Sequence, residues 1–135
     1  MKRSHHVVFA AICAILWAGF FLTGLPYHYF QTFSNEAILL LLLISFFGVI
    51  PPFTIAILGF INVPFFRASI WLAFYASVIP FLLDLVFIGI IKGEGLHFIL
   101  SYWYLSIGYV IVWMEIPFIG KALEKLGLRI INQRF

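Results

Sequence analysis

Two of the five acids in this 135-residue chain, Asp84 and Glu115, fall inside long apolar runs. A carboxylate placed in lipid costs about 2.5–3.5 kcal/mol on insertion scales, so it turns inward, finds hydrogen-bond donors or takes up a proton. Asp84 stands eight positions before Lys92, roughly 12 Å below the nearer membrane face at 1.5 Å per residue. Such a group serves as a proton or cation relay, as a partner contact, or as a hydrogen-bond acceptor for Ser and Tyr hydroxyls inside the bundle. Glu115 belongs to the other leaflet, separated from Asp84 by about 15 Å of depth. That is too far for two carboxylates to share a proton, and Arg67, Lys121 or the Lys2-Arg3 pair are its expected ionic partners.

His28 and His97 fall on the same side as Glu36 and Glu94. Imidazole and carboxylate together can bind zinc, but these four residues lack the spacing of a metal-binding helix. Two histidines at loop edges are also poorly placed to hold a haem within a bundle. They are expected to be interfacial polar residues, and no metal or cofactor is expected. His5-His6 reads as part of a solvated end. Tyr102, Trp103, Tyr104, Tyr109 and Trp113 crowd one segment. They suit an aromatic belt and lipid-facing fill, or a wall that stacks a quinone or isoprenoid. Nucleophile elbow, P-loop and metalloprotease motifs are absent from the sequence, and no catalytic residues are expected. The chain leans away from an enzyme. The lone Cys13 sits in an apolar run and reads as a small buried hydrophobe.

These residues must be held by elements built for lipid. The composition is 64% hydrophobic and only 10% charged, whereas a soluble domain has about a quarter of its residues charged. Four runs are long enough to cross a hydrocarbon core of about 30 Å: about 7–25, 37–61, 70–91 and 96–118. The sequence therefore predicts an all-α, integral-membrane four-helix bundle, formed as a single transmembrane domain over 1–135. The first run is preceded by Lys2-Arg3 but is too long for a signal peptide and is not followed by an A-x-A site, so it is expected to stay as a span. Pro26 should stop span 1, with Ser34 or Asn35 capping span 2. Pro51-Pro52 should kink span 2, and Lys92-Gly93-Glu94-Gly95 should form a tight turn.

Lys2, Arg3, Arg67, Lys121, Lys125, Arg129 and Arg134 gather on one side of this arrangement, against Lys92 alone on the other. The positive-inside rule then puts both termini in the cytoplasm. Ile116, Ile119, Leu123, Leu126 and Ile130 recur at steps of three and four with basic residues between them. That pattern predicts a C-terminal amphipathic interfacial helix over 119–135, lying on an anionic leaflet and bent away from span 4 at Pro117 and Gly120. Small or polar residues at a spacing of seven suggest packing faces: Ala11 and Ala18; Ser45, Pro52 and Gly59; Ala73, Ser77, Pro80 and Asp84; Ser101, Gly108 and Glu115.

The expected function follows from what the chain contains. Short loops and no catalytic set suit a structural or accessory subunit of a bacterial inner membrane that binds other membrane proteins or itself. The alternative is a small transporter or lipid-handling protein with Asp84 on an intramembrane polar pathway. The bilayer is the expected partner for the basic residues, and nucleic acid is not.

Overall fold

The computed structural model describes residues 1–28, 34–61 and 63–126, with the side chains of 23–28 excepted. The described residues are predominantly helical, without a strand. Four helical segments are long and apolar enough to cross a membrane: Arg3–Leu22, Asn35–Gly59, Phe65–Ile91 and Trp103–Lys125. They are called spans 1 to 4. A bilayer core offers no water to exposed backbone groups, so each crossing must satisfy its own hydrogen bonds.

Span 1 is helix α1 (Arg3–His28). Its backbone stays helical through Pro26, where a stop was expected. Span 2 starts at α2 (Asn35–Ile44), and the Ser34 hydroxyl accepts from the Ala37 N–H at 3.3 Å. It continues through a π-helical turn at Ser45–Val49 into α3 (Ile50–Gly59). Pro51 and Pro52 occupy the first turn of α3, where a missing N–H breaks no bond inside that helix. The wider π turn absorbs the register change that two adjacent prolines impose.

Span 3 is α4 (Phe65–Asp84), extended by a π-helical segment at Leu85–Ile91. The turn that follows has Gly93 at φ 82° and Gly95 at φ 57°, conformations that favour glycine. A 3-10 turn (Gly95–His97) and the short α5 (Phe98–Ser101) precede α6 (Trp103–Lys125). The chain breaks at Tyr102, so span 4 begins later than the expected Leu96. It also ends later. α6 runs unbroken past Pro117 and Gly120 to Lys125, and a separate helix beginning at 119 is not formed. Gly120 is fully engaged in packing and cannot act as a bend. Residues 127–135, with Arg129, Ile130 and Arg134, lie outside the described residues.

Spans 3 and 4 form the most extensive contact, span 1 packs along span 3, and span 2 packs mainly along span 4. The order in space is therefore 1-3-4-2. Among the described residues, spans 1 and 2 make little contact with each other. The main core draws Phe9 and Cys13 from span 1, Ile57 and Leu58 from span 2, Leu72 and Ala73 from span 3, and Ile116 and Leu123 from span 4. A smaller core of Ile88, Phe98 and Tyr102 closes the end that carries the glycine turn.

The seven-residue stripes hold for span 3, where Ala73, Ser77 and Asp84 are buried. They fail for spans 1 and 2. Ala11, Pro52 and Gly59 are exposed, and larger residues such as Phe9, Thr54 and Leu58 face inward instead. Bulk fills the centre of the bundle, while one small residue fixes its tightest contact. A Cβ on Gly120 would lie 2.9 Å from the Phe65 carbonyl oxygen and 2.5 Å from Ser69 Cβ. Close backbone approach of this kind is how helices associate in lipid. Beside it, the Glu124 carboxylate accepts from the Phe66 N–H at 2.9 Å, an otherwise unpaired donor in the first turn of α4. Gly120→Ala is expected to destabilise the bundle by about 1–3 kcal/mol, read from reversible unfolding in mixed micelles. A neutral result would show that the close approach at Gly120 does not hold spans 3 and 4 together.

Candidate functional site

Asp84 is the last residue of α4 and is 3% exposed. Its two carboxylate oxygens are held from two other spans. The Trp17 indole N–H on span 1 donates to Oδ1 at 2.8 Å. The Tyr109 hydroxyl on span 4 donates to Oδ2. Phe87 and Phe21 lie against the Trp17 ring, with centroids 5.3 and 4.8 Å away. Phe81 meets the Tyr109 ring edge-on at 5.7 Å. One acid thus ties three spans together inside an aromatic collar. The expected tyrosine contact is present, while the Trp17 contact was not anticipated. Only its indole N–H marked Trp17 as a donor, and nothing in its spacing pointed to Asp84.

Trp17 and Tyr109 also form part of the wall of a cavity of about 360 Å³. The cavity fills the gap between spans 1 and 2, with spans 3 and 4 behind it. Leu16 and Phe20, Leu41 and Phe53, Pro80 and Val112 represent the four spans in its apolar lining. Along α6 it reaches from Tyr104 to Ile116, about 18 Å at 1.5 Å per residue. Asp84 itself does not line it. The carboxylate sits behind its two donors rather than in the open space.

Comparison with known protein families, curated proteins and solved structures finds no match.

The remaining polar residues are dispersed. Glu115 is half-buried, and its Oε2 has no partner among the described residues. Arg67 and Lys121 are exposed and form no ion pair with it among the described residues. The reason is positional: Lys121 is six residues along the same helix, about 9 Å farther down and turned to another face. Arg67 lies level with the end of α6, where Phe66 meets Glu124. At the other end of the bundle, Glu94 pairs with Lys92 at 3.5 Å, and Lys92 also contacts the Tyr102 hydroxyl. Glu36 and His97 are exposed, and the side chain of His28 lies outside the described residues. No group of three or more His, Cys, Asp or Glu suited to a metal occurs among the described residues. His6 departs from the solvated end expected of it: its ring packs on Trp71 at 4.7 Å and meets the Tyr75 hydroxyl at 3.2 Å.

The Asp84 clamp has a direct energetic test. Trp17→Phe and Tyr109→Phe are each expected to cost about 1 kcal/mol, within the range measured for hydrogen bonds between membrane helices. Tyr109→Phe should become nearly neutral once Asp84→Ala is present. Equal effects in both backgrounds, by unfolding in mixed micelles, would show that the two side chains are not coupled.

Proposed function

We propose that this is a small polytopic membrane protein that handles lipid by accommodating one hydrocarbon chain between spans 1 and 2. The observation that carries this reading is the apolar cavity. Its volume of about 360 Å³ is near the lower end of ligand-sized pockets. That is room for a chain rather than a whole lipid. Its length along α6 is a little over half of a core about 30 Å thick, which is the reach of one leaflet's chains. It lies at an edge where two spans do not close on each other, and a chain can enter sideways from the bilayer. In this reading Asp84 positions the cavity walls through Trp17 and Tyr109, and the transported or held molecule does not touch the carboxylate.

Several finer features belong to the same proposal. The bias of Lys and Arg supports a cell-membrane orientation, such as that of a bacterial inner membrane, with both ends cytoplasmic. The alternating apolar and basic pattern of 119–135 supports contact between the tail and an anionic leaflet.

Trp17 gives the test a local probe. The chain has four tryptophans, and changing Trp71, Trp103 and Trp113 to Phe leaves Trp17 alone. In vesicles of brominated lipid its fluorescence should be strongly quenched. Gly108→Leu should relieve most of that quenching, because a side chain at 108, whose Cβ has Phe46 as its nearest neighbour at 4.0 Å, fills the cavity. Equal quenching in the two proteins would end the proposal.

A second reading, an accessory subunit for another membrane protein or a second copy, has support of its own. Gly48, Pro52 and Gly59 are all exposed on span 2, and a Cβ on Gly59 would meet nothing within 4 Å. A face of small residues is the usual seat of a partner helix in lipid. Gly48→Leu with Gly59→Leu should abolish any complex recovered from native membranes. Recovery of a monomer alone from the unaltered protein would dismiss this reading.

A further inference from the structure

Three polar side-chain atoms of the described residues are buried without a protein partner: His5 Nδ1, Thr54 Oγ1 and Glu115 Oε2. They come from spans 1, 2 and 4, and Thr54 is 0% exposed. Their neighbours one helical turn away place all three on one core. Met1 and Phe9 flank His5, Ile50 and Leu58 flank Thr54, and Val112 and Ile119 flank Glu115. All six of these neighbours belong to or pack against the main hydrophobic cluster.

The three also lie at one depth. Gly120 lies against Ser69, and the Ser77 hydroxyl points to the Tyr109 carbonyl at 3.4 Å. Interpolating between these contacts along antiparallel helices sets Glu115 level with Ala73. The ring of His6, next to His5, meets Trp71 and Tyr75, which sets His5 at the same level. Phe46 lies beside Gly108, and spans 2 and 4 run in the same direction. Thr54 and Glu115 follow this contact by eight and seven residues.

A buried polar group with no partner loses its full hydration, and native structures leave few of them. Three at one level, from three helices around one core, have a common solution. We infer that His5, Thr54 and Glu115 hold an internal water between spans 1, 2 and 4, in the half of the bundle that carries the N-terminus. Three hydrogen bonds are what a buried water commonly makes. An imidazole nitrogen, a hydroxyl and a carboxylate supply both donors and acceptors for it. The water gives protons a path between the imidazole and the carboxylate. The site is distinct from the chain cavity, whose lining includes none of the three residues.

The test turns on the sign of an isosteric change. A hydroxyl with nothing to bond is better replaced by a methyl, whereas a hydroxyl bound to water is not. Thr54→Val should raise the unfolding equilibrium constant about tenfold in mixed micelles, and Thr54→Ser, which keeps the hydroxyl, should raise it less. With Glu115→Leu present, the effect of Thr54→Val should fall to about threefold or less. The infrared carboxyl band lost in Glu115→Gln should shift in Thr54→Val protein. This second measurement needs only the two single, shape-conserving variants to fold. An unfolding constant that is unchanged or lowered by Thr54→Val, or a Glu115 band that does not move, would overturn the site. Neither readout depends on whether a lipid chain enters the cavity.

Discussion

Apolar side chains gain almost nothing by leaving lipid for one another, and that constraint governs how this bundle is joined. Its outer surface is covered with exposed residues such as Phe47, Phe60 and Phe118, which acyl chains can solvate as well as a protein core would. The fold depends instead on a few contacts that lipid cannot imitate. Asp84 accepts from Trp17 and Tyr109, Glu124 accepts from the Phe66 N–H, and Gly120 admits Ser69. All three contacts involve span 3, and each joins it to span 4. Asp84 adds span 1 to the set. Span 3 is thus the element around which the others are arranged.

The same constraint explains why a cavity can survive. In water, an apolar gap between two helices would collapse or be filled by side chains. In a bilayer the alternative occupant is a hydrocarbon chain with the chemistry of leucine, so an open seam between spans 1 and 2 carries little penalty. Two irregularities of the bundle border this seam. The π turn at Ser45–Val49 and the prolines that follow lie on span 2, and Ser45, Phe46 and Ile50 line the gap. Pro80 lines it from span 3.

Much of this architecture was legible in the residues. Hydropathy alone gives four crossings, because the bilayer thickness sets a length that few soluble helices share. Ser34 as a cap, the glycine turn after Lys92, and Asp84 turned toward the bundle all follow from local chemistry. What could not be read was the partner of each inward-facing group. Nothing in the sequence marks Trp17 as the partner of Asp84, since an indole N–H leaves no periodic trace. The small-residue stripes misled in spans 1 and 2, because Ala and Gly are common in spans for reasons unrelated to packing. Pro26 and Gly120 suit breaks on sequence grounds, yet the backbone continues through both. A proline is tolerated in a membrane helix when its freed carbonyl is re-satisfied, and Gly120 is needed for its missing side chain rather than for its flexibility. The placement of Glu115 away from Arg67 and Lys121 depended on helix register, which a single sequence does not disclose.

The spatial order 1-3-4-2 bears on how the protein is made. Span 1 has its packing partner in span 3, and span 2 has its main partner in span 4. Spans 1 and 2, made before spans 3 and 4, therefore have little to hold them together. They must wait side by side in the bilayer, with the Trp17 indole unmatched, until Asp84 is synthesised 67 residues later. In the finished bundle spans 3 and 4 sit between two helices made before them, and the seam is where no later helix closes span 1 onto span 2.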